Sequence, residues 1–281
     1  MPADAKPRRA SRLWSLLTVA RLAAASYLIL LLAAMIFEES LIFFPSKYPE
    51  GNWQPRGLEF EDAWFTAADG VKLHGWYVPC QSPRAIVLFA HGNAGNLSDR
   101  ADMLRYLSGP LRASVMIFDY RGYGRSEGQP NEVGVLADAR AARAWLAQRA
   151  GVREQDIVLL GESLGGGAMV DLAAKDGARG LVLENSFTSL VDVAAHHYPF
   201  LPVRMVMRNR LDSLEKIGQY HGPLLIRHGD ADTIIPFEQA ERMFAAANEP
   251  KRLLVVRGGD HNDPPTREYL AALDQFLADL K

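Results

Sequence analysis

The sequence predicts an α/β fold: a mostly parallel sheet with helices on both faces, a small lid insertion, and one transmembrane helix ahead of the sheet. Two observations predict the body. Short, continuous apolar runs alternate with longer stretches of helical periodicity, as expected when strands are covered on both faces. Each run is followed by Gly and polar residues, which in such sheets gather at the carboxyl ends of the strands. A third observation predicts the leading helix: residues 22–37 carry no charge and follow a basic leader.

Residues 1–44 read as a cytoplasmic basic leader and membrane anchor. Lys6, Arg8, Arg9, Arg12 and Arg21 stand against a single acid, Asp4. The uncharged run is slightly short of the ~20 residues that span a bilayer core. Residues 13–20 extend it, because the long Arg21 side chain can reach the headgroups from near one end. Trp14 and Phe43-Phe44 suit the two interfaces. A cleaved signal peptide is the alternative; Ala23-Ala-Ala-Ser26 supplies small residues, but Arg21 breaks the apolar core before them. A buried core helix is the third reading, and a basic leader before a Leu/Ala-rich run is unusual for one. The uncleaved anchor is preferred. It leaves the N-terminus cytoplasmic and sends the body to the far, periplasmic or extracytoplasmic, side.

Residues 45–57, rich in Pro and Gly, read as a linker. The body occupies 58–281. Residues 58–65 and 71–78 flank Ala68-Asp69-Gly70 and form a hairpin. Further strands are predicted at 85–90, 114–119, 157–160, 180–184, 223–227 and 252–256, and helices at 99–107, 132–149, 164–174, 238–247 and 264–280. The last helix has Asp263 placed to cap it and Pro264 at its first position. Residues 187–220 form the longest stretch without a strand. Their mixture of apolar and basic residues reads either as a cap over an acyl pocket beside the anchor, or as a helical connection with solvated arginines.

The formal charge of −2, with no Lys/Arg stripe in the body, argues against nucleic acid. Cys80 is the only cysteine, which excludes an intrachain disulfide and leaves a buried structural thiol as the expected role.

The chemistry centres on Gly161-Glu-Ser-Leu-Gly165, a G-x-S-x-G between a predicted strand and a predicted helix, the context that motif requires. Glycines let the helix pack close while Ser163 takes a strained turn conformation, which projects its Oγ above a helix N-terminus. A serine hydroxyl needs a base, and the base an orienting acid. Of seven histidines, His261 alone satisfies the order Ser…Asp…His of this strand–turn–helix arrangement. His91 and His228 read as loop braces, His196 and His197 lie in the insertion, and His74 and His221 in the hairpin and a loop. Asp232 follows the penultimate strand and is the candidate acid. Asp230, two residues earlier, competes with it, and Glu184 is weaker. The backbone N–H groups of Leu164 and Asn93 are the expected oxyanion hole. No metal or organic cofactor is called for.

These residues resemble the α/β-hydrolase superfamily. The set His91-Gly-Asn-Ala-Gly, Asp119-Tyr-Arg-Gly-Tyr-Gly-Arg-Ser, Gly161-Glu-Ser-Leu-Gly-Gly, Glu184-Asn-Ser-Phe, His228-Gly-Asp-Ala-Asp and Gly259-Asp-His261 is similar to the membrane-anchored abhydrolase-domain serine hydrolases, kin of depalmitoylases and of the serine aminopeptidase-like group. The likeness covers nearly the whole body and extends to the anchor followed by Phe43-Phe44-Pro45. It implies the α/β-hydrolase fold and the triad Ser163, Asp232, His261. Asp232 is preferred over Asp230 because that group's acid stands three residues after the glycine of His-Gly. The expected reaction is hydrolysis of an acyl ester or thioester of short to medium chain, which could be lipid-linked, with the membrane as partner. A peptidase acting on peptide N-termini is the first rival and would need an acidic pocket, for which only Glu184 or Glu162 is available. A non-catalytic membrane-bound scaffold is the second.

Overall fold

The structure, a computed structural model, describes residues 8–280. Lys6 and Asp4 of the basic leader lie outside the described residues. In chain order the elements are α1 (Arg8–Ile36), α2 (Glu38–Ile42), β1 (Phe44–Pro45), β2 (Glu61–Thr66), β3 (Lys72–Val78), β4 (Ala85–Ala90), β5 (Ala94–Gly95), a 3-10 turn (Leu97–Arg100), α3 (Ala101–Ser108), β6 (Ala113–Phe118), α4 (Glu132–Ala150), a second 3-10 turn (Glu154–Asp156), β7 (Val158–Glu162), α5 (Leu164–Asp176), β8 (Gly180–Glu184), α6 (Leu190–His197), α7 (Val203–Val206), α8 (Ser213–Ile217), β9 (Leu224–Gly229), α9 (Phe237–Ala246), β10 (Lys251–Val256) and α10 (Arg267–Asp279).

One sheet takes eight strands in the order β10-β9-β8-β7-β4-β6-β3-β2. Only β2 and β3, the hairpin, run antiparallel to their neighbours; every other pairing in it is parallel. Because successive strand residues point to opposite faces, the continuous apolar runs feed two cores. Leu88, Met116, Leu159 and Leu181 meet Ala139 and Leu146 of α4, Leu172 of α5 and Met243 of α9. Val87, Val115, Val158 and Leu225 meet Leu104 of α3 and Tyr269 and Leu273 of α10. Local signals set the helix ends. The Asn131 side chain accepts from the Gly134 N–H to start α4, and Gly151, left-handed at φ 69°, stops it.

Within α1, Trp14–Ile36 is 23 residues long and apolar enough to cross a membrane. Trp14, Leu22, Leu28 and Ile29 are exposed along it. Residues 45–57, expected as a linker, are docked instead. Phe44 and Pro45 pair with Ala94 and Gly95, the Tyr48 N–H donates to Gly124 O, and the Asn96 side chain donates to Ser46 O and Glu50 O. Pro and Gly here shape a strap whose backbone groups are satisfied by the body, not a free spacer.

Two further expectations are corrected. The last helix begins at Arg267 and is capped by Thr266, whose side chain accepts from the Tyr269 N–H. Pro265 holds Pro264 out of helical geometry, and the Asp263 carboxylate accepts from the Asp260 N–H instead. Cys80, expected to be buried, is only half-buried beyond the end of β3.

Candidate active site

Ser163 occupies the single-residue turn between β7 and α5, at φ 49° and ψ −112°. The turn is this tight because its neighbours lack Cβ atoms. A Cβ on Gly165 would stand 2.0 Å from Ala90 O, and one on Gly161 would stand 2.6 Å from Gly165 O. The Ser163 N–H donates to Glu184 O at 2.8 Å, which locks the turn to β8. Leu164 opens α5, so its N–H has no carbonyl one turn back and sits at the positive end of the helix dipole.

His261, on the loop after β10, places Nε2 3.1 Å from Ser163 Oγ. Its Nδ1 lies 2.8 Å from Asp232 Oδ2. The second Asp232 oxygen accepts from the N–H groups of Ile234 (2.9 Å) and Ile235 (2.7 Å). Burial alone would raise the Asp232 pKa. Hydrogen bonds from His228, His261 and the Ile235 backbone outweigh it and hold the carboxyl well below the usual carboxylate range. Asp230 takes a different part: its Oδ1 accepts from the Gly258 N–H at 2.6 Å and braces the turn after β10. With Asp232 beside His261 and Asp230 turned to a backbone amide, geometry separates two carboxylates that are neighbours in sequence.

Four of the other histidines make local contacts away from Ser163. His91 is fully buried, with Nδ1 2.7 Å from Gly92 O and Nε2 3.4 Å from Asp119 Oδ1. His228 Nε2 donates to Ile235 O, and His197 Nε2 to Ile234 O. His74 pairs with Asp62.

Asn93 lies on the loop between β4 and β5. Its N–H has no acceptor among the described hydrogen bonds, while both polar atoms of its side chain are bonded. Nδ2 donates to Ile42 O, and Oδ1 accepts from Tyr123 OH and the Phe44 N–H. Sequence reasoning missed this clamp, and it missed Tyr123. A lone Asn between Gly92 and Ala94 carries no sign that its side chain holds a segment some 50 residues upstream. It missed Glu38 as well. That carboxylate is buried and accepts from the Arg208 and Asn209 N–H groups, the Asn209 amide and the Arg208 guanidinium, fixing α2 to the insertion.

Two cavities flank the region. A polar one of about 540 Å³ is lined by His261, Asn262, Glu162, Glu184, Arg100 and Arg227. Both of its acids in question are engaged. Glu162 is paired with Arg100 through two hydrogen bonds, at 2.8 and 3.1 Å. Glu184, pushed up to about 7 by burial, accepts from Tyr269 OH. An apolar cavity of about 400 Å³ lies between α1–α2 and the insertion.

Comparison with known proteins agrees with this architecture. Residues 85–212 match the family described as alpha/beta hydrolase fold. Protein Rv2307c of Mycobacterium tuberculosis is 42% identical over 247 residues, covering 86% of this chain and 88% of its own. The alpha/beta hydrolase domain-containing protein WAV2 of Arabidopsis thaliana is 33% identical over 255 residues, covering 81% and 82%. Among solved structures, the Pyrococcus furiosus esterase Pf2001 superposes with a TM-score of 0.71 at 20% identity, covering 85% of this chain and 98% of that one. With the strand order, the strained serine turn and these relatives taken together, the chain belongs to the α/β-hydrolase family.

Proposed function

We propose that the protein is a membrane-anchored serine hydrolase that cleaves acyl ester or thioester bonds through Ser163, His261 and Asp232. One observation carries the reading: an unbroken relay runs from Ser163 Oγ through both His261 nitrogens to Asp232. Asp232, held ionised, fixes the tautomer with hydrogen on Nδ1, which leaves Nε2 free to take the serine proton. Ser163 then attacks the acyl carbon, and the amides of Leu164 and Asn93 receive the oxyanion. His261 protonates the departing alcohol or thiol. In the second step it removes a proton from water, which releases the acid and restores Ser163.

The name of the Pyrococcus furiosus neighbour, an esterase, supports the ester reading over the peptidase. So does the site itself: Glu162 and Glu184, the acids a peptide amine would need, are engaged by Arg100 and Tyr269. The anchor reading is supported by the exposed apolar span and by its contacts with the body from Tyr27 onward. In this reading residues 1–44 lead and anchor, 45–57 strap the anchor to the body, and 58–281 form the hydrolase domain, outside the cytoplasm. The test is labelling of the full-length protein by a short-chain fluorophosphonate. Label on Ser163, with labelling and p-nitrophenyl acetate turnover both lost in Ser163→Ala, is the expected result. Turnover that survives Ser163→Ala rejects the reading, and so does a protein that never labels.

A further inference from the structure

We propose that the apolar cavity between α1–α2 and the insertion is the acyl-chain site of this hydrolase, filled sideways from the bilayer by a long-chain, membrane-resident ester or thioester. The proposal rests on the acyl-transfer reading above and gives α1 a second role, as one wall of the substrate site.

The cavity's chemistry selects an aliphatic chain. At about 400 Å³ it is within the ~300–1,000 Å³ range of ligand sites. Its walls are aliphatic and aromatic, with Leu31 and Met35 from α1, Ile42 at the end of α2, Phe44 just after it, and Leu201 and Val206 from the insertion. Its one carboxylate, Glu38, is bound to Arg208 and Asn209. No free charge is left to recognise a polar ligand.

Its position points to the bilayer as the source. Tyr27 OH donates to Phe200 O at 2.9 Å, so the tip of the insertion touches α1 well inside the apolar span. Tyr27 lies nine residues before Ile36, roughly 13 Å at ~1.5 Å per residue. That is close to the middle of a hydrocarbon core about 30 Å thick. The tip is built for such depth: Phe200 is 63% exposed and Met205 87% exposed in the isolated chain. Of the two readings of residues 187–220, a lipid-facing cap accounts for these side chains and a solvated connection does not.

Asn93 links the cavity wall to the proposed chemistry. Neither Ser163 nor His261 lines the cavity. Ile42 and Phe44 do, and both are bonded to the side chain of Asn93, whose main-chain N–H faces the oxyanion in the proposed reaction. In the proposed binding mode, an acyl chain whose carbonyl meets Ser163 runs past Asn93 and between α1 and α7. A short chain leaves the outer cavity empty, so the short to medium substrate expected from sequence gives way to a long one. Lipid tails are as apolar as these walls, so the site gains little affinity from burial. It acts by holding the carbonyl in reach, and the effect belongs in kcat/KM for vesicle-borne substrate.

The decisive probe is a palmityl fluorophosphonate with a photoreactive diazirine at the chain end, applied to the full-length protein in phosphatidylcholine nanodiscs. The expected result is phosphonylation of Ser163 with photoadducts in residues 30–35 or 201–207. Adducts elsewhere, or a Ser163 that labels with the short-chain fluorophosphonate and not with the palmityl probe, overturn the cavity assignment alone, whereas no label from either probe overturns the hydrolase reading and this one with it. Ala34→Trp and Val206→Trp fill the cavity from opposite walls. Each should lower kcat/KM for p-nitrophenyl palmitate in vesicles by at least about tenfold. The loss should be selective, lowering the palmitate-to-acetate ratio of kcat/KM, with an unchanged circular dichroism spectrum reporting intact folding. Equal changes for the two esters in both variants count against the proposal.

Discussion

At Ser163 the backbone sits at φ 49°, ψ −112°, a sparsely populated conformation that costs about 1–3 kcal/mol. The residue holds it because the hydrogen bond to Glu184 O and the packing of α5 on β4 over-determine the turn. The outcome is an Oγ aimed at His261. Asp232 and Asp230 test the assignment. Asp232→Asn leaves His261 in the wrong tautomer and should lower kcat by about 10⁴-fold. Asp230→Asn loses only a brace on the Gly258 amide and should keep kcat within about tenfold of the parent. Steady-state kinetics on p-nitrophenyl acetate decide it, and comparable losses in both variants would reject Asp232 as the acid. The depressed Asp232 pKa also fixes a sign. Its ionised form contributes stability above the ordinary aspartate pKa of 3.8, lost as pH falls through the lower folded value. Ser163 and His261 were legible as candidates because each follows a strand in the order the fold demands. The choice between Asp230 and Asp232 was not legible from spacing alone. Which carboxylate meets the imidazole depends on how the loops after β9 and β10 cross.

At the scale of elements, β7, the turn and α5 form a unit whose tolerance is set by close backbone approach. A Cβ on Gly165 meets Ala90 O, a main-chain atom of β4 that cannot rotate away. Gly165→Ala must therefore push α5 off the sheet, and overpacking of this kind costs about 1–3 kcal/mol or more. Urea unfolding of the full-length protein in detergent should show a lower midpoint and slower Ser163 phosphonylation. A variant as stable as the parent would mean that α5 can shift freely. By contrast Gly151, whose added Cβ meets nothing within 4 Å, is constrained only by its left-handed φ. The strands were legible as continuous apolar runs, and α4 by its Asn131 cap and Gly151 stop. Two elements were not. The start of α10 turns on Thr266, because Pro264-Pro265 cannot enter the helix as Asp263-Pro264 had promised. The strap at 45–57 looks like a linker because its order comes from partners distant in sequence, Asn96 and Gly124.

For the molecule as a whole, the question is what fixes the long apolar helix α1 against the body. A chain of buried polar contacts does so. Glu38 follows the span directly and accepts from the N–H groups of both Arg208 and Asn209. The Asn209 side chain in turn accepts from the Glu132 N–H at the start of α4. The apolar run that precedes Glu38 was legible; the partner of Glu38, 171 residues away in Asn209, was not, since a carboxylate after an apolar run looks only like its end. Burial works against the charge on Glu38, but the bonds from Asn209 and Arg208 outweigh it and lower its pKa. The carboxylate therefore stabilises the junction above the ordinary glutamate pKa of 4.5, and that contribution fades as pH falls through the folded value. Hydrogen bonds to a charged group contribute about 1.5–3 kcal/mol. Removing this one by Glu38→Ala should then raise local opening about thirtyfold at neutral pH. The amides of Arg208 and Asn209 report it directly, through faster hydrogen exchange in the full-length protein. Glu39→Ala is the control, because Glu39 reaches only the exposed end of the Arg208 guanidinium, at 3.3 Å. An exposed pair is worth about 0–1 kcal/mol, so exchange should change by no more than about fivefold. If the two variants exchange alike, Glu38 is not the joint between α1 and the body, and the wall that α1 gives to the apolar cavity is held by packing and by contacts such as the Tyr27–Phe200 hydrogen bond.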